Sequence, residues 1–266
     1  MPEKIAKPEP VVRGRSTSLM KMPLAGFALF GVVLLSGCST YLPPAGRADF
    51  NTFIPEGDAR MQESFARRPA AAFPAHLVFA RVQASGYRNY RTDHEGGVYG
   101  QGRYSIYTTR ELDEQTQLDR LARLPQIRSI GSLNRMLVPE RLESDHDLRE
   151  AAAQLKADMV VLYTFDTSFY TREQSGPAKV LTLGNAHTRH VTVNVTASAL
   201  VMDTRTGFIY AALESNERRE ISTNLWRDGS DADVARRDAE QTAFKKLADE
   251  FYRSWDRIVA RAQQGA

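Results

Sequence analysis

One side chain in this 266-residue chain is a thiol, that of Cys38. A thiolate is an intrinsically strong nucleophile, and Cys38 is placed for modification at the end of an apolar run rather than inside a patterned site. Twelve apolar or small residues, Leu24 to Leu35, precede it, with Lys21 upstream. Between them Ser36 and Gly37 leave the bond before Cys38 open to a peptidase. With a single cysteine the chain can form no internal disulfide and no multi-thiolate metal site.

The other residue types with catalytic potential are scattered. Of the five histidines, His76, His94, His146, His187 and His190, only the last two are close in sequence. Their H-x-x-H pair falls in a loop entering a strand, where residues three apart point to opposite faces, so no metal is expected there. Asp145-His146-Asp147 stands where a helix N-terminus favours acidic groups, and capping accounts for it. Gly97, Gly100 and Gly102 run in the wrong order for a dinucleotide fingerprint and lead into a strand, leaving no helix N-terminus to cradle phosphate. Gly131-Ser132 lacks the pattern of a nucleophile elbow. A carboxylate pair for glycoside hydrolysis is set by distance in space, so a hydrolase with an unrecognised pair stands as an alternative. No catalytic residue, metal or cofactor is expected otherwise.

Leu35-Ser36-Gly37-Cys38 behind that apolar run resembles the lipobox of bacterial lipoprotein precursors. The resemblance implies cleavage between Gly37 and Cys38, a diacylglyceryl group on the Cys38 sulfur and an acyl chain such as palmitate on the freed amine. Ser39, not aspartate, follows the lipidated position, which in that family implies the outer membrane. The apolar run is too short for a permanent span, which takes about 17–25 residues. Two or more acyl chains give stable anchoring where one does not. Residues 1–37 are thus expected to be a signal peptide. Met20 or Met22 is the expected start, because Met1 to Ser18 holds Glu3, Glu9 and three prolines, the alternative being a long n-region that begins at Met1.

Charge follows from that cut. The whole chain has 35 basic and 32 acidic residues, and residues 1–37 contain five of the former and two of the latter. The remaining chain carries 30 of each. Nothing in that balance recruits nucleic acid, so none is expected as a partner.

The elements that position these residues begin with a tether at 38–73, about 35 residues with a flexible reach of roughly 30–35 Å; the alternative is an N-terminal arm that packs on the domain through Phe50, Phe53 and Ile54. One domain, 74–262, follows, with 263–266 as a tail. His76 to Val82 and Tyr104 to Thr108 read as strands. Thr108 and Glu111 have capping-box spacing for a helix that carries Leu112, Leu118 and Leu121 and ends at Pro125. Ile127 to Leu133 is a strand, and Ser144 with Asp147 opens a second helix. Met159 to Tyr163 is apolar on both faces, hence central. His190 to Met202 alternates strictly, and Asp203 to Gly207 turns it into a return strand over Phe208 to Leu213. Ser230 and Asp233 are expected to cap a helix whose stripe runs Phe244, Leu247, Phe251, Trp255, Ile258 and Ala262. The fold class is mixed α/β: a βαβαβ-type core extended by a long antiparallel hairpin, with a C-terminal amphipathic helix packed on the sheet.

Ala157-Asp158 at a helix end, the apolar strand after it and the Asp203–Gly207 turn resemble curli-secretion-type periplasmic lipoproteins and the TolB N-terminal domain. The chain is also similar to rhombotarget lipoproteins, although no small-residue sorting tail ends it. That resemblance implies an accessory part for binding, assembly or secretion in the periplasm, with a protein or glycan partner and oligomer formation open.

Gly86 to Tyr107 is the candidate recognition loop. It gathers Tyr87, Tyr90, Tyr99, Tyr104 and Tyr107 with Arg88, Arg91 and Arg103 and five glycines. Tyrosine and arginine dominate binding hot spots, and the opposing reading is that the tyrosines cover a sheet edge. A pore subunit is the remaining alternative. It needs paired strands of about 9–11 residues, and the sequence shows one, because Val180 to Gly184 is too short to partner it.

Overall fold

Val191, Val193, Val195, Ala197, Ala199 and Val201 turn to one face of the strand Thr188–Asp203 and are buried there, as the alternation predicts. The computed structural model describes residues 46–47, 58–108, 112–173, 188–224 and 228–264, all within the unit Ser39–Ala266. In chain order the elements are α1 (Asp58–Ala66), β1 (Ala75–Ala84), α2 (Tyr90–Glu95), β2 (Val98–Tyr99), β3 (Gln101–Gly102) and β4 (Tyr104–Tyr107). Then come α3 (Glu114–Leu121), β5 (Ile127–Ser132), β6 (Arg141–Leu142), α4 (Asp145–Gln154) and β7 (Met159–Glu173). The chain closes with β8 (Thr188–Asp203), β9 (Ile209–Asn224) and α5 (Asp228–Gln263).

The main sheet runs β2-β4-β1-β7-β8-β9, with β5 also on β1, and β3 pairs β6 separately. Strands β5 and β7 flank β1 in parallel, reached through α3 and α4. This is the βαβαβ core, and β7 is central as its two apolar faces require. The antiparallel β7–β8–β9 ladder extends it. One core layer lies under α3 and α5 and holds Leu77, Phe79, Val161, Phe165, Val193 and Leu213. The other lies under α4 and holds Val78, Val82, Leu148, Val160 and Leu162.

Several expectations are corrected. Strand β9 does not stop at Leu213 but runs to Asn224, and β7 runs to Glu173. After Leu213 the residues are Glu, Ser, Asn, Glu and Arg, so no apolar alternation marks the strand. The ladder to β8 and polar ties to α5 hold it instead: Ser215 Oγ donates to Ala243 O at 2.8 Å and Lys246 Nζ meets Glu217 at 2.7 Å. The paired strands held missing from a pore are therefore present. Their apolar row, however, packs under α5.

Helix α5 starts at Asp228, and Asp233, expected as a capping partner, lies inside it, bonded to Arg236 at 2.9 Å. Helix α3 starts at Glu114 behind Asp113, so Thr108 is not its cap; Glu111 lies outside the described residues. The α4 start follows its sequence signal: Ser144 N donates to Asp147 Oδ2 at 3.0 Å.

Small residues Ala232, Ala235, Ala239 and Ala243 bury the first half of α5, and Phe244, Leu247, Phe251, Trp255 and Ile258 bury the second. Trp255 is fully buried, stacked on Phe251 at 5.5 Å, and its Nε1 donates to Pro125 O at 2.7 Å. Within the segment read as a tether, Arg67 to Phe73 lie against the domain. Ala70 N donates to Asp203 Oδ2 at 2.6 Å, Ala71 N to the Tyr210 hydroxyl at 3.3 Å, and Phe73 meets the Trp255 ring.

Candidate functional site

Cys38 and Gly37 lie outside the described residues. The candidate loop does not form one surface. Tyr87 and Tyr104 are 3% and 1% exposed, which removes both from any partner surface. Tyr104 belongs to the core under α4, and Tyr87 packs edge-on against Tyr107. Tyr90 is exposed on α2, Tyr99 is half-buried in β2, and Arg88 and Arg103 keep exposed side chains. Arg91 is half-buried beside Tyr90 in the first turn of α2. Asn89 caps that helix by accepting from Thr92 N at 2.8 Å, and Arg88 is held by Asp93 at 2.7 Å. The glycines serve the turns: Gly100 and Gly102 have φ of 107° and 102°, where other residues are strained.

Behind Tyr87 lies a charge cluster that the sequence does not announce. Arg81 of β1 and Glu240 of α5 meet at 3.1 Å with both side chains buried. Glu240 also accepts from Arg236 Nη1 at 2.8 Å and from Thr167 Oγ1 at 3.0 Å. Asp233 takes Arg236 at 2.9 Å and Arg237 at 3.3 Å. The Arg81 guanidinium is stacked between the rings of Tyr107 and Phe165, at 4.2 and 4.6 Å. Burial opposes its charge, but Glu240 and the nearby phenols prevail and hold its pKa above the ordinary arginine value. Burial, then the Glu240 carboxylate, push the Tyr87 phenol up to about 12. An i, i+3, i+4, i+7 set of Asp, Arg, Arg and Glu on an otherwise Ala-lined stripe was the one available signal, and it reads equally well as a solvated helix face.

Arg81 borders a cavity of about 50 Å³ with Glu114, Tyr163 and Ser132, and its Nε and Nη1 have no hydrogen-bond partner there. That volume holds water molecules, not a substrate of drug-like size, for which about 300 Å³ is usual.

The motifs that carry the family resemblance converge at the β8–β9 turn. Asp203 accepts from the Tyr210 hydroxyl at 2.7 Å and from Arg205 N and Thr206 N at 2.9 and 3.0 Å. Asp158 accepts from His76 N at 2.9 Å and from Arg128 at 3.1 Å. Burial and the bond to Asp203 hold the Tyr210 phenol above its usual range. Both aspartates therefore have structural work: one closes the hairpin and receives the N-terminal segment, the other ties β7 to β1.

His76 and His146 stay apart. His76 Nδ1 meets Ser129 Oγ at 2.6 Å and His146 faces Glu150. The side chains of His94, His187 and His190 lie outside the described residues. Among the described residues no three His, Cys, Asp or Glu side chains are grouped to hold a metal ion, and no helix is long and apolar enough to cross a membrane. An open groove of about 410 Å³ lies between β9 and the second half of α5.

No protein-family model matches the chain, and no curated protein matches it. Among solved structures it is similar to a protein described as a neuraminyllactose-binding hemagglutinin homolog from Helicobacter pylori, 11% identical over 71% of this chain and 89% of that one, TM-score 0.34. It is also similar to a minor lipoprotein from Acinetobacter baumannii, 10% identical over 70% and 94%, TM-score 0.29. A third is a hypothetical protein from Chlamydia trachomatis, 12% identical over 72% and 96%, TM-score 0.22.

Proposed function

We propose that this is a lipid-anchored protein of the bacterial outer membrane whose periplasmic mixed α/β domain works by binding and assembly rather than catalysis. The observation that carries the reading is how the fold uses its buried charges. Arg81, Asp233, Arg236 and Glu240 bond to one another in the core. An active site turns such groups toward a substrate cavity, and the cavity beside Arg81 has room for water alone. The lipobox supports the anchor at Cys38, and Ser39 the outer membrane. The partner is an envelope protein or a glycan, as the resemblance to curli-secretion-type and rhombotarget lipoproteins implies.

A photo-crosslinking residue at exposed Tyr90, in cells producing the full chain, tests this reading. Recovery of one specific envelope partner is the expected result. A soluble domain that cleaves peptidoglycan fragments, and stops when one carboxylate is replaced, establishes the hydrolase instead.

One observation favours a second reading, an oligomeric secretion pore. Strands β7, β8 and β9 have 15, 16 and 16 residues, longer than the roughly 9–11 that a membrane strand needs. Since α5 covers their apolar row, a pore requires α5 to leave the sheet. A disulfide locking α5 to β9 that abolishes dye leakage from liposomes establishes it.

A further inference from the structure

Strand β9 ends the described sheet, and its outer edge has main-chain groups to offer. Asp203 N donates to Phe208 O at 2.8 Å, and a bulge at Tyr210, between the pairs Met202–Ile209 and Val201–Ala211, then shifts the side-to-side alternation of β9 by one residue. From Ala211 onward the odd residues of β9 turn their NH and C=O toward β8, and Ala212, Glu214 and Asn216 turn theirs outward. Helix α5 takes two outward carbonyls: Arg261 Nη1 donates to Tyr210 O at 2.8 Å, and Lys246 Nζ to Asn216 O at 3.0 Å. Basic side chains over an edge are a usual guard against strand pairing. Between the two guards, no other described element bonds to the outward groups of Ala212 and Glu214.

The open groove of about 410 Å³ lies along this window. Buried Leu213 and Ile258 form its floor, and the exposed Arg257 and Arg261 stand on its wall. Arg257 donates to Ser254 Oγ at 3.0 Å, and neither arginine has a carboxylate partner among the described residues. Glu250 and Glu214 also line the groove: Arg253 takes Glu250 at 2.5 Å, and Glu214 alternates with buried Leu213, so its side chain leaves the strand on the other side.

We propose that this edge receives an extended acidic segment of a partner protein as an added β-strand. Main-chain bonds to Ala212 and Glu214 supply the pairing, and an acidic side chain on the α5 side meets Arg257 and Arg261. This rests on the domain being a binding module and names what it binds.

Fluorescence anisotropy tests it with full-length lipidated protein in detergent and a labelled peptide, Thr-Val-Thr-Glu-Thr-Val-Thr. Two controls are the same peptide with Lys for Glu and one N-methylated at alternate residues, which removes its strand donors. The Glu peptide should bind at least tenfold more tightly than either control. Arg257→Glu should reverse the Glu-over-Lys preference. Ala212→Pro should abolish binding without lowering Tm, because that NH makes no bond to β8. Equal binding of the N-methylated peptide, or no binding of any, overturns the proposal. A concentration-dependent dimer abolished by Ala212→Pro also overturns it, since a second copy then holds the edge. If the peptides fail while the Tyr90 probe still captures a partner, the edge assignment falls and the binding-module reading stands. Failure of both removes both.

Discussion

Arg81 Nη2 lies 3.1 Å from Glu240 Oε2, joining β1 to α5 across most of the domain. Counting Arg236, Arg237 and Asp233, the cluster holds three cations and two anions. Removing Arg81 leaves it neutral, while neutralising Glu240 leaves two uncompensated guanidinium charges. Breaking a buried pair from the wrong side costs about 3–5 kcal/mol. Glu240→Gln should approach that cost, and Arg81→Met should cost less than half as much, since it also removes two unsatisfied donors. Denaturant unfolding of both variants checks the order, and equal losses contradict it.

The same cluster predicts an alkaline limit. The folded Tyr87 phenol is pushed up to about 12, first by burial and then by Glu240, against roughly 10 when unfolded. The raised value means that its stability contribution, about 2–3 kcal/mol, is whole below pH ~10 and is lost as pH rises toward ~12. Titration followed by phenolate absorbance should show Tyr87 silent until the fold melts, and Tyr87→Phe should flatten the fall in stability over that window. An unchanged slope contradicts the assignment.

Asp203 closes the β8–β9 turn and holds the N-terminal segment. Asp203→Ala leaves the Tyr210 hydroxyl and Ala70 N without their acceptor and should cost about 3–4 kcal/mol, from several charge-assisted bonds. Hydrogen exchange should then rise first at Arg67 to Phe73. Unchanged protection there would show that the Phe73–Trp255 contact alone holds the segment.

Trp255 is fully buried and its indole NH is bonded to Pro125 O. Trp255→Ala should cost about 3–5 kcal/mol, and Trp255→Phe should recover most of that, losing mainly one hydrogen bond. A loss below about 1 kcal/mol for alanine would mean that α5 is peripheral.

What was legible in the sequence follows from how each element is held. The βαβαβ core, the central place of β7 and the buried Trp255 came through because apolar periodicity specifies them. The second half of β9 did not, since ladder bonds and Lys246 hold a run of charged residues that reads as a loop. Tyr87 and Tyr104 looked like contact residues because a glycine-rich loop with tyrosines hides which rings turn inward. The Arg81–Glu240 pair joins residues 159 positions apart, and no local spacing reports it.

The proposed anchor decides where the chain is held and what it can meet, so the N-terminus of the protein isolated from cells is the most direct test. Mass spectrometry of the outer-membrane fraction should find a chain beginning at Cys38 with a diacylglyceryl group on sulfur and an acyl chain on nitrogen. A Cys38→Ser variant should remain uncleaved and unlabelled by palmitate. A wild-type chain that begins upstream of Cys38 and carries no lipid contradicts the lipid-anchored envelope module.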